Sequence, residues 1–348
     1  MSQFVSLTIK EVVQETPSAV SLVFNIPDNL KDNFNFIPGQ FITLKTEING
    51  TEVRRAYSLS SSPNEKDIKI SIKKIANGSF SVYANEYLKA GDKIEALFPE
   101  GKFQLKPNAN SNTNYMAFAA GSGITPIMSM VKTVMTQETE SKFVLIYGNK
   151  TATETMFFKE LLELQIANPE RLFLEFVYSQ QNAEGSLFGR IDKSTVNYAV
   201  KNKFKNLTFD NFYLCGPESM INTVQEVLAD NNVDKNSIHH ELFTSKTVIP
   251  ESNTEGIATI EVLLDDEELS ITADKKLTLL DNVLKQDLDA PYSCKGGVCC
   301  SCICRVVEGE ANMPVNNMLT DSEINEGLVL ACQAYAVSDN LKIDFDDA

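Results

Sequence analysis

Ser293-Cys294-Lys295-Gly296-Gly297-Val298-Cys299-Cys300-Ser301-Cys302 is the stretch on which the reading of this 348-residue chain turns. Three of its cysteines follow a C-x4-C-x2-C pattern, and Cys332 comes after 29 further residues. Thiolates at this spacing can wrap two irons from one loop, with the fourth arriving from a separate strand, which is the arrangement of a [2Fe–2S] centre. Gly296 and Gly297 permit the tight backbone that lets N–H groups reach the sulfides. Zinc is the competing reading, but it favours two C-x2-C knuckles, and Cys332 has no near partner. Cys294, Cys299, Cys302 and Cys332 are therefore the expected metal ligands, and Cys300 and Cys304 are read as non-ligands. A Rieske centre would need two histidines, and the loop has none.

Working outward, the chain carries 47 Asp and Glu against 31 Lys and Arg, a net charge of -16. From Ile257 to the end, 18 acidic residues face 6 basic ones, so -12 of that charge lies there. Nucleic acid is excluded as a ligand, because binding it requires clustered Lys and Arg. An acidic C-terminal segment suits docking on a basic partner. No run approaches 18 apolar residues, so no membrane insertion is expected. The start, MSQFVSLTIKEVV, lacks a basic n-region followed by an apolar h-region, so no signal peptide is read. Clustered cysteines without an oxidising compartment point to a cytoplasmic metal protein. With only His239 and His240, a histidine-based general base or multi-histidine site is hard to build.

The chain changes character twice. Residues 1–107 read as short strands (Phe4 to Val13, Ala19 to Asn25, Gln40 to Glu47, Asp67 to Ile75) separated by turn signals such as Pro38-Gly39, Asn49-Gly50 and Gly91-Asp92. An antiparallel β-barrel follows. Residues 112–244 alternate strands with helices, including a helix over 154–165, which argues for an α/β parallel sheet covered on both sides. Residues 245–256 are polar, lack periodicity and read as a linker. The segment 257–348 begins with a hairpin, TIEVLLDDEELSITA, followed by a helix with Leu279, Leu280, Val283, Leu284 and Leu288 on its apolar face.

Several motifs then carry a resemblance over essentially the whole chain. SCKGGVCCSC with GLVLACQ downstream is similar to the plant-type ferredoxin domain, an α+β β-grasp fold. Arg55-Ala56-Tyr57-Ser58 resembles the RxYS signature of the ferredoxin–NADP reductase superfamily, preceded here by Pro38-Gly39-Gln40-Phe41 and followed by Gly78-x-x-Ser81. The resemblance implies FAD. Arg55 would meet its diphosphate as a charge-assisted fork, Tyr57 would stack on the isoalloxazine, and Ser58 would bond the ring edge. Leu59, Ile72, Lys74, Gly78 and Ser81 complete the implied flavin contacts. Gly121-Ser122-Gly123-Ile124-Thr125-Pro126 resembles the superfamily's loop for the nicotinamide nucleotide, where small residues and a helix N-terminus suit phosphate. Cys215-Gly216-Pro217, with Met220, resembles the motif whose cysteine lies beside the nicotinamide. Ser58 and Cys215 are thus the implied catalytic residues. Ser179 is implied at the coenzyme, and Phe243, in Glu241-Leu242-Phe243, as an aromatic cover.

The reaction so implied needs alignment and no histidine base or serine nucleophile. The C-terminal signature, together with Tyr147-Gly148-Asn149-Lys150-Thr151, is similar to that of the reductase subunits of phenylacetyl-CoA epoxidases. That resemblance implies an oxidoreductase passing electrons from NAD(P)H to FAD, to [2Fe–2S] and on to a di-iron oxygenase component, with NADPH favoured over NADH. Ser179-Gln180-Gln181 lacks the arginine that many NADPH-using relatives place there, and Lys150 or Arg190 could supply the charge instead. Three alternatives stay open: the reductase of a Rieske-type ring- or steroid-hydroxylating oxygenase, a stand-alone diaphorase, and a non-catalytic redox sensor.

Overall fold

The computed structural model describes residues 4–243 and 256–347, so the expected linker lies outside the described residues except for Gly256. The described chain forms two compact units, one spanning Phe4–Phe243 and the other the C-terminal segment.

The first unit opens with six antiparallel strands: β1 (Val5–Thr16), β2 (Ala19–Asn25), β3 (Phe41–Ile48), β4 (Thr51–Ser58), β5 (Ile68–Lys73) and β6 (Lys93–Ala96). Their order is β4-β3-β6-β1-β2-β5. A lone bridge from Leu59 to Ile70 joins the two edges and closes the sheet into a barrel. Leu7, Ile9, Leu22, Phe24, Ile42, Leu44 and Ile70 fill it. β4, β6 and α1 are absent from the elements expected over residues 1–107. In β4, only Val53 and Ser58 are buried, so Glu52, Arg54 and Arg55 mask the strand pattern. In α1 (Ser79–Glu86), Val82 and the aromatics favour a strand by propensity, yet Phe80 and Ala84 meet the barrel at helical spacing.

The same unit continues into six parallel strands: β7 (Asn114–Ala120), β8 (Lys142–Asn149), β9 (Leu172–Tyr178), β10 (Leu187–Phe188), β11 (Asn211–Cys215) and β12 (Ile238–Glu241). The order is β10-β9-β8-β7-β11-β12, with winding that reverses between β7 and β11. Its helices are α2 (Ile124–Gln137), α3 (Phe158–Ala167), α4 (Lys193–Asn197), which continues as a π-helical stretch, and α5 (Glu218–Asp230). The helix expected over 154–165 starts later, because Phe157 takes a left-handed backbone (φ +59°) ahead of α3.

Barrel and parallel sheet share a core and a polar joint. Ala19, Phe103 and Leu105 of the first segment pack into the core beneath α2. Lys132 of α2, buried, reaches Glu160 of α3 at 2.5 Å and Glu65 of the β4–β5 connection at 3.1 Å. Burial works against the charged form of Lys132, but the two carboxylates outweigh it and hold its pKa above the ordinary lysine value. Ser129 Oγ donates to the Ser61 carbonyl at 2.6 Å, and the Ser62 and Thr133 hydroxyls meet at 3.1 Å.

The second unit contributes strands β13 (Ile257–Leu264), β14 (Glu267–Asp274), β15 (Ile303–Glu308), β16 (Ala311–Asn312), β17 (Leu328–Leu330), β18 (Tyr335–Ala336) and β19 (Asn340–Asp344). Five of them form one sheet in the order β14-β13-β19-β15-β17, and β16 and β18 pair apart from it. β13 and β19 run parallel and the other pairs antiparallel. α6 (Leu279–Leu284) buries Leu279, Leu280 and Val283, and ends before Leu288 because Asp287 is left-handed (φ +58°). α7 (Asp321–Asn325) begins with a Thr320–Glu323 capping box. A helix lying on a mixed sheet of this order is the β-grasp architecture. Among the described residues no helix is long and apolar enough to cross a membrane.

The joint yields a stability test. Lys132→Met leaves an apolar chain of similar length, whereas Glu65→Gln with Glu160→Gln leaves a buried ammonium without counter-charge. The double variant is expected to lose about 3 kcal/mol in urea unfolding, and Lys132→Met clearly less. Equal losses would show that charge pairing contributes nothing at this joint.

Candidate functional site

The cysteine loop lies between α6 and β15 and winds tightly. Lys295 (φ +51°), Gly297 (φ +69°) and Cys300 (φ +61°) are all left-handed, which turns successive N–H groups inward. Gly296 N–H and Val298 N–H point to Cys294 Sγ at 3.2 and 3.5 Å, and Cys294 N–H to Cys299 Sγ at 3.4 Å. A Cβ on Gly297 would stand 2.7 Å from Gln333 Cγ. Cys332 follows β17, and Ala331 N–H bonds the Cys302 carbonyl at 2.9 Å, which draws the fourth cysteine to the loop.

The four thiols fall into two pairs. A hydrogen bond with Cys299 holds Cys294 below the usual thiol range, and one with Cys302 does the same for Cys332. Among the described residues no three His, Cys, Asp or Glu side chains converge as they would on a single ion. Two thiols to each of two irons, with N–H donors aimed at sulfur, fit a [2Fe–2S] cluster. Cys304 is fully buried in the sheet core, which pushes its thiol up; Cys300 is half-buried beside the pairs.

In the barrel, β4 carries the RxYS residues. Ser58 stands opposite Phe41 and Tyr57 opposite Ile42. The Tyr57 ring lies 5.4 Å from that of Phe80, so β4 is seated on α1. Burial pushes the Tyr57 phenol up, partly offset by Arg55. Arg55 is exposed, with Nη1 donating to the Arg54 carbonyl at 2.7 Å. Leu59 and Ile72 are fully enclosed, and the Ile72 carbonyl accepts from Asn85 at 3.1 Å. Lys74 is exposed and meets Glu86 at 3.2 Å. At the start of α1, Ser81 Oγ accepts from Ile75 N–H at 3.2 Å, and a Cβ on Gly78 would fall 2.4 Å from that oxygen. A side chain at Gly78 would push the Ser81 hydroxyl off Ile75 N–H, so glycine keeps that bond at a helix N-terminus of the kind that receives phosphate.

At the switch point of the parallel sheet the other two motifs touch backbone to backbone. A Cβ on Gly123 would sit 2.1 Å from the Cys215 carbonyl oxygen, and one on Gly216 2.7 Å from Met220 Cε and 3.1 Å from Ala120 Cβ. Thr125 Oγ1 donates to the Ser122 carbonyl at 3.1 Å, and Pro126 sits in the first turn of α2, where its missing N–H is not needed. Pro217 caps α5. Cys215 is wholly buried; burial and then Glu241 push its thiol well above the ordinary range, so it stays neutral rather than nucleophilic. Ser179 N–H bonds the Asn149 carbonyl at 3.0 Å, farther along the same carboxyl edge. Phe243, 39% exposed, ends the unit.

One group was not anticipated. Glu241, buried, pairs with Cys215 across β11 and β12 and accepts from Ser58 Oγ at 3.4 Å. It thereby links the two residues expected to be catalytic. The sequence signal was an acid at the end of a short strand, in a tripeptide noted only for its phenylalanine.

Comparisons with known proteins agree with this architecture. The chain matches the oxidoreductase FAD-binding domain over residues 6–105, the oxidoreductase NAD-binding domain over 118–226, and the 2Fe-2S iron-sulfur cluster binding domain over 262–337. It is 36% identical to one of the subunits of the 1,2-phenylacetyl-CoA epoxidase of Escherichia coli (strain K12), over 99% of each chain. It is 34% identical to the ferredoxin reductase component of 3-ketosteroid-9-alpha-monooxygenase of Rhodococcus rhodochrous, over 99% of this chain and 97% of that one. Phthalate dioxygenase reductase shares the fold with a TM-score of 0.62 and 22% identity, over 98% of each chain. The three cofactor domains follow one another along the chain, and two full-length relatives are components of oxygenases. The chain therefore belongs to the family of iron–sulfur flavoprotein reductases that pass electrons from a nicotinamide coenzyme through FAD and a [2Fe–2S] cluster to an oxygenase.

Proposed function

We propose that the electrons this reductase draws go to a phenylacetyl-CoA epoxidase, a di-iron oxygenase of the cytoplasm, and that NADPH is the preferred donor. The observation that carries the reading is the 36% identity to a component of that enzyme, over 99% of both chains. A second reading has its own support: 34% identity over nearly the same length makes a ketosteroid monooxygenase the alternative acceptor.

When bound, FAD supplies the exchange between paired and single electrons, and the cluster supplies one-electron transfer near about -400 mV. The chain supplies placement. We assign residues 1–107 to flavin, 112–244 to coenzyme and 257–348 to the cluster. Arg55 and the α1 N-terminus at Gly78 and Ser81 hold the flavin diphosphate, Tyr57 packs on the ring, and Ser58 and Leu59 border its edge. Lys74, exposed, flanks the flavin, and Ile72, enclosed in the barrel core, supports the strand behind it. Gly121, Ser122, Gly123, Thr125 and Pro126 receive the coenzyme diphosphate. Cys215, Gly216, Pro217 and Met220 seat the nicotinamide, and Phe243 covers the flavin. Ser58 Oγ, by donating to Glu241, commits its one hydrogen, so toward the flavin it would accept from a ring N–H. Cys294, Cys299, Cys302 and Cys332 hold the cluster as thiolates. Toward the adenosine end, Ser179-Gln180-Gln181 offers no carboxylate for a free 2′-hydroxyl, and exposed Lys150 and Arg190 offer charge for a 2′-phosphate.

The acceptor is tested by reconstitution with the purified oxygenase component of phenylacetyl-CoA epoxidase. NADPH-driven consumption of phenylacetyl-CoA is expected to depend on this reductase; turnover only with a ketosteroid hydroxylase would select the alternative. For the coenzyme, Lys150→Ala with Arg190→Ala is expected to raise KM for NADPH about tenfold or more and leave KM for NADH nearly unchanged. An equal rise for both would remove these residues from the 2′-phosphate. For the cluster, Cys332→Ser is expected to lose the iron–sulfur absorbance while NADPH-to-dye turnover persists. Loss of dye turnover in a folded, flavin-loaded variant would contradict the division between flavin and cluster roles.

A further inference from the structure

Tyr147-Gly148-Asn149-Lys150-Thr151 ends β8 at the carboxyl edge of the sheet, and no role assigned so far uses its tyrosine. Four successive residues of the stretch meet neighbouring loops. The Tyr147 hydroxyl, fully buried, donates to the Gly121 carbonyl at 3.1 Å, with the Met156 backbone N–H turned toward its oxygen. Gly148 leaves room for Ile191, whose Cδ1 would lie 3.2 Å from an added Cβ. The Asn149 carbonyl takes Ser179 N–H at 3.0 Å, and the Lys150 carbonyl takes Gln180 N–H at 2.9 Å. The Asn149 amide lies buried beside the Tyr147 hydroxyl, with no well-formed hydrogen bond among the described residues.

The Gly121 end of this set is the one that needs holding. Gly121 is left-handed (φ +55°), and among the described residues no atom beyond its own turn lies within 4 Å of where its Cβ would stand. Side-chain packing therefore does not fix it, and hydrogen bonds must. Its carbonyl accepts from Ile124 N–H inside the same turn. The Tyr147 hydroxyl anchors that turn to a different strand.

We propose that Tyr147 is the positioning residue of the coenzyme loop. By holding the Gly121 carbonyl, its hydroxyl sets the peptide planes of Gly121–Gly123 so that their N–H groups stand ready for the diphosphate of the nicotinamide coenzyme. The proposal rests on reading Gly121–Pro126 as the nucleotide-binding loop. A preformed loop lowers the ordering cost of binding and leaves the bound complex unchanged. Its loss should therefore appear in KM and not in kcat.

Tyr147→Phe tests this in the full-length, cofactor-loaded protein, because it keeps the ring and its packing on Phe176 at 6.3 Å. KM for the coenzyme is expected to rise about 3- to 30-fold, the worth of one buried hydrogen bond. kcat for dye reduction should stay within about twofold, with flavin content close to the parent and melting temperature lowered by no more than about a few degrees, the effect of one buried hydrogen bond. A merely structural tyrosine would lower the melting temperature and leave KM at the parental value, and that result overturns the proposal. So does a fall in kcat at unchanged KM. Hydrogen exchange of the parent with saturating NADP+ separates this inference from the reading beneath it. Protection of residues 120–126 is expected. Its absence overturns the loop reading and the proposal together. Protection beside a parental KM in Tyr147→Phe overturns the tyrosine's role alone.

Discussion

Between β7 and β11 the parallel sheet reverses its winding, and there two backbone turns are pressed together without side chains between them. A Cβ at Gly123 would stand 2.1 Å from the Cys215 carbonyl oxygen, a distance that only glycine avoids. Much follows from that contact. It brings the carboxyl ends of β7 and β11 to one crevice, the place where open parallel sheets bind ligands. It sets Cys215 against the glycine loop, wholly enclosed and uncharged. Through the pairing of β11 with β12 it also sets Glu241 beside Cys215, where the carboxylate accepts from Ser58 of the barrel. Barrel and sheet thus meet at the residues expected to align coenzyme and flavin, and the Lys132 joint with Glu65 and Glu160 holds them at that meeting.

The cysteine loop solves a different problem with similar means. Four thiols must be brought together in two pairs, with two of them held toward the thiolate. Left-handed residues at Lys295, Gly297 and Cys300 curl the loop so that its N–H groups face sulfur. The fourth cysteine arrives on a strand end, held by the pairing of β17 with β15 and by backbone bonds of Ala331 to Cys302 and Leu280. The loop carries the geometry, and the sheet behind it carries the stability.

The fold class and the principal motifs were legible because each is written in short, local spacing. Four cysteines at fixed intervals, glycines ahead of a helix, and strand–helix alternation need no tertiary context. What escaped reading depends on such context. β4 is an edge strand whose charges mask its alternation. α1 has strand-like composition and becomes a helix because Phe80 and Ala84 must share one face against the barrel. α3 begins after a left-handed Phe157 that no propensity announces. Glu241 and Tyr147 act through partners 183 and 26 residues away, which only the tertiary fold brings near. Candidate residues in contiguous motifs can be proposed from the sequence, while Glu241 and Tyr147, which join one motif to another, emerge only from the fold.

Separate flavin and cluster sites impose an order on electron flow. Anaerobic rapid mixing of the loaded protein with NADPH, followed at flavin and iron–sulfur wavelengths together, tests it most directly. The account predicts that flavin absorbance falls first and cluster absorbance follows in a distinct, slower phase. Bleaching of the cluster in step with NADPH oxidation, with the flavin still oxidised, would contradict it.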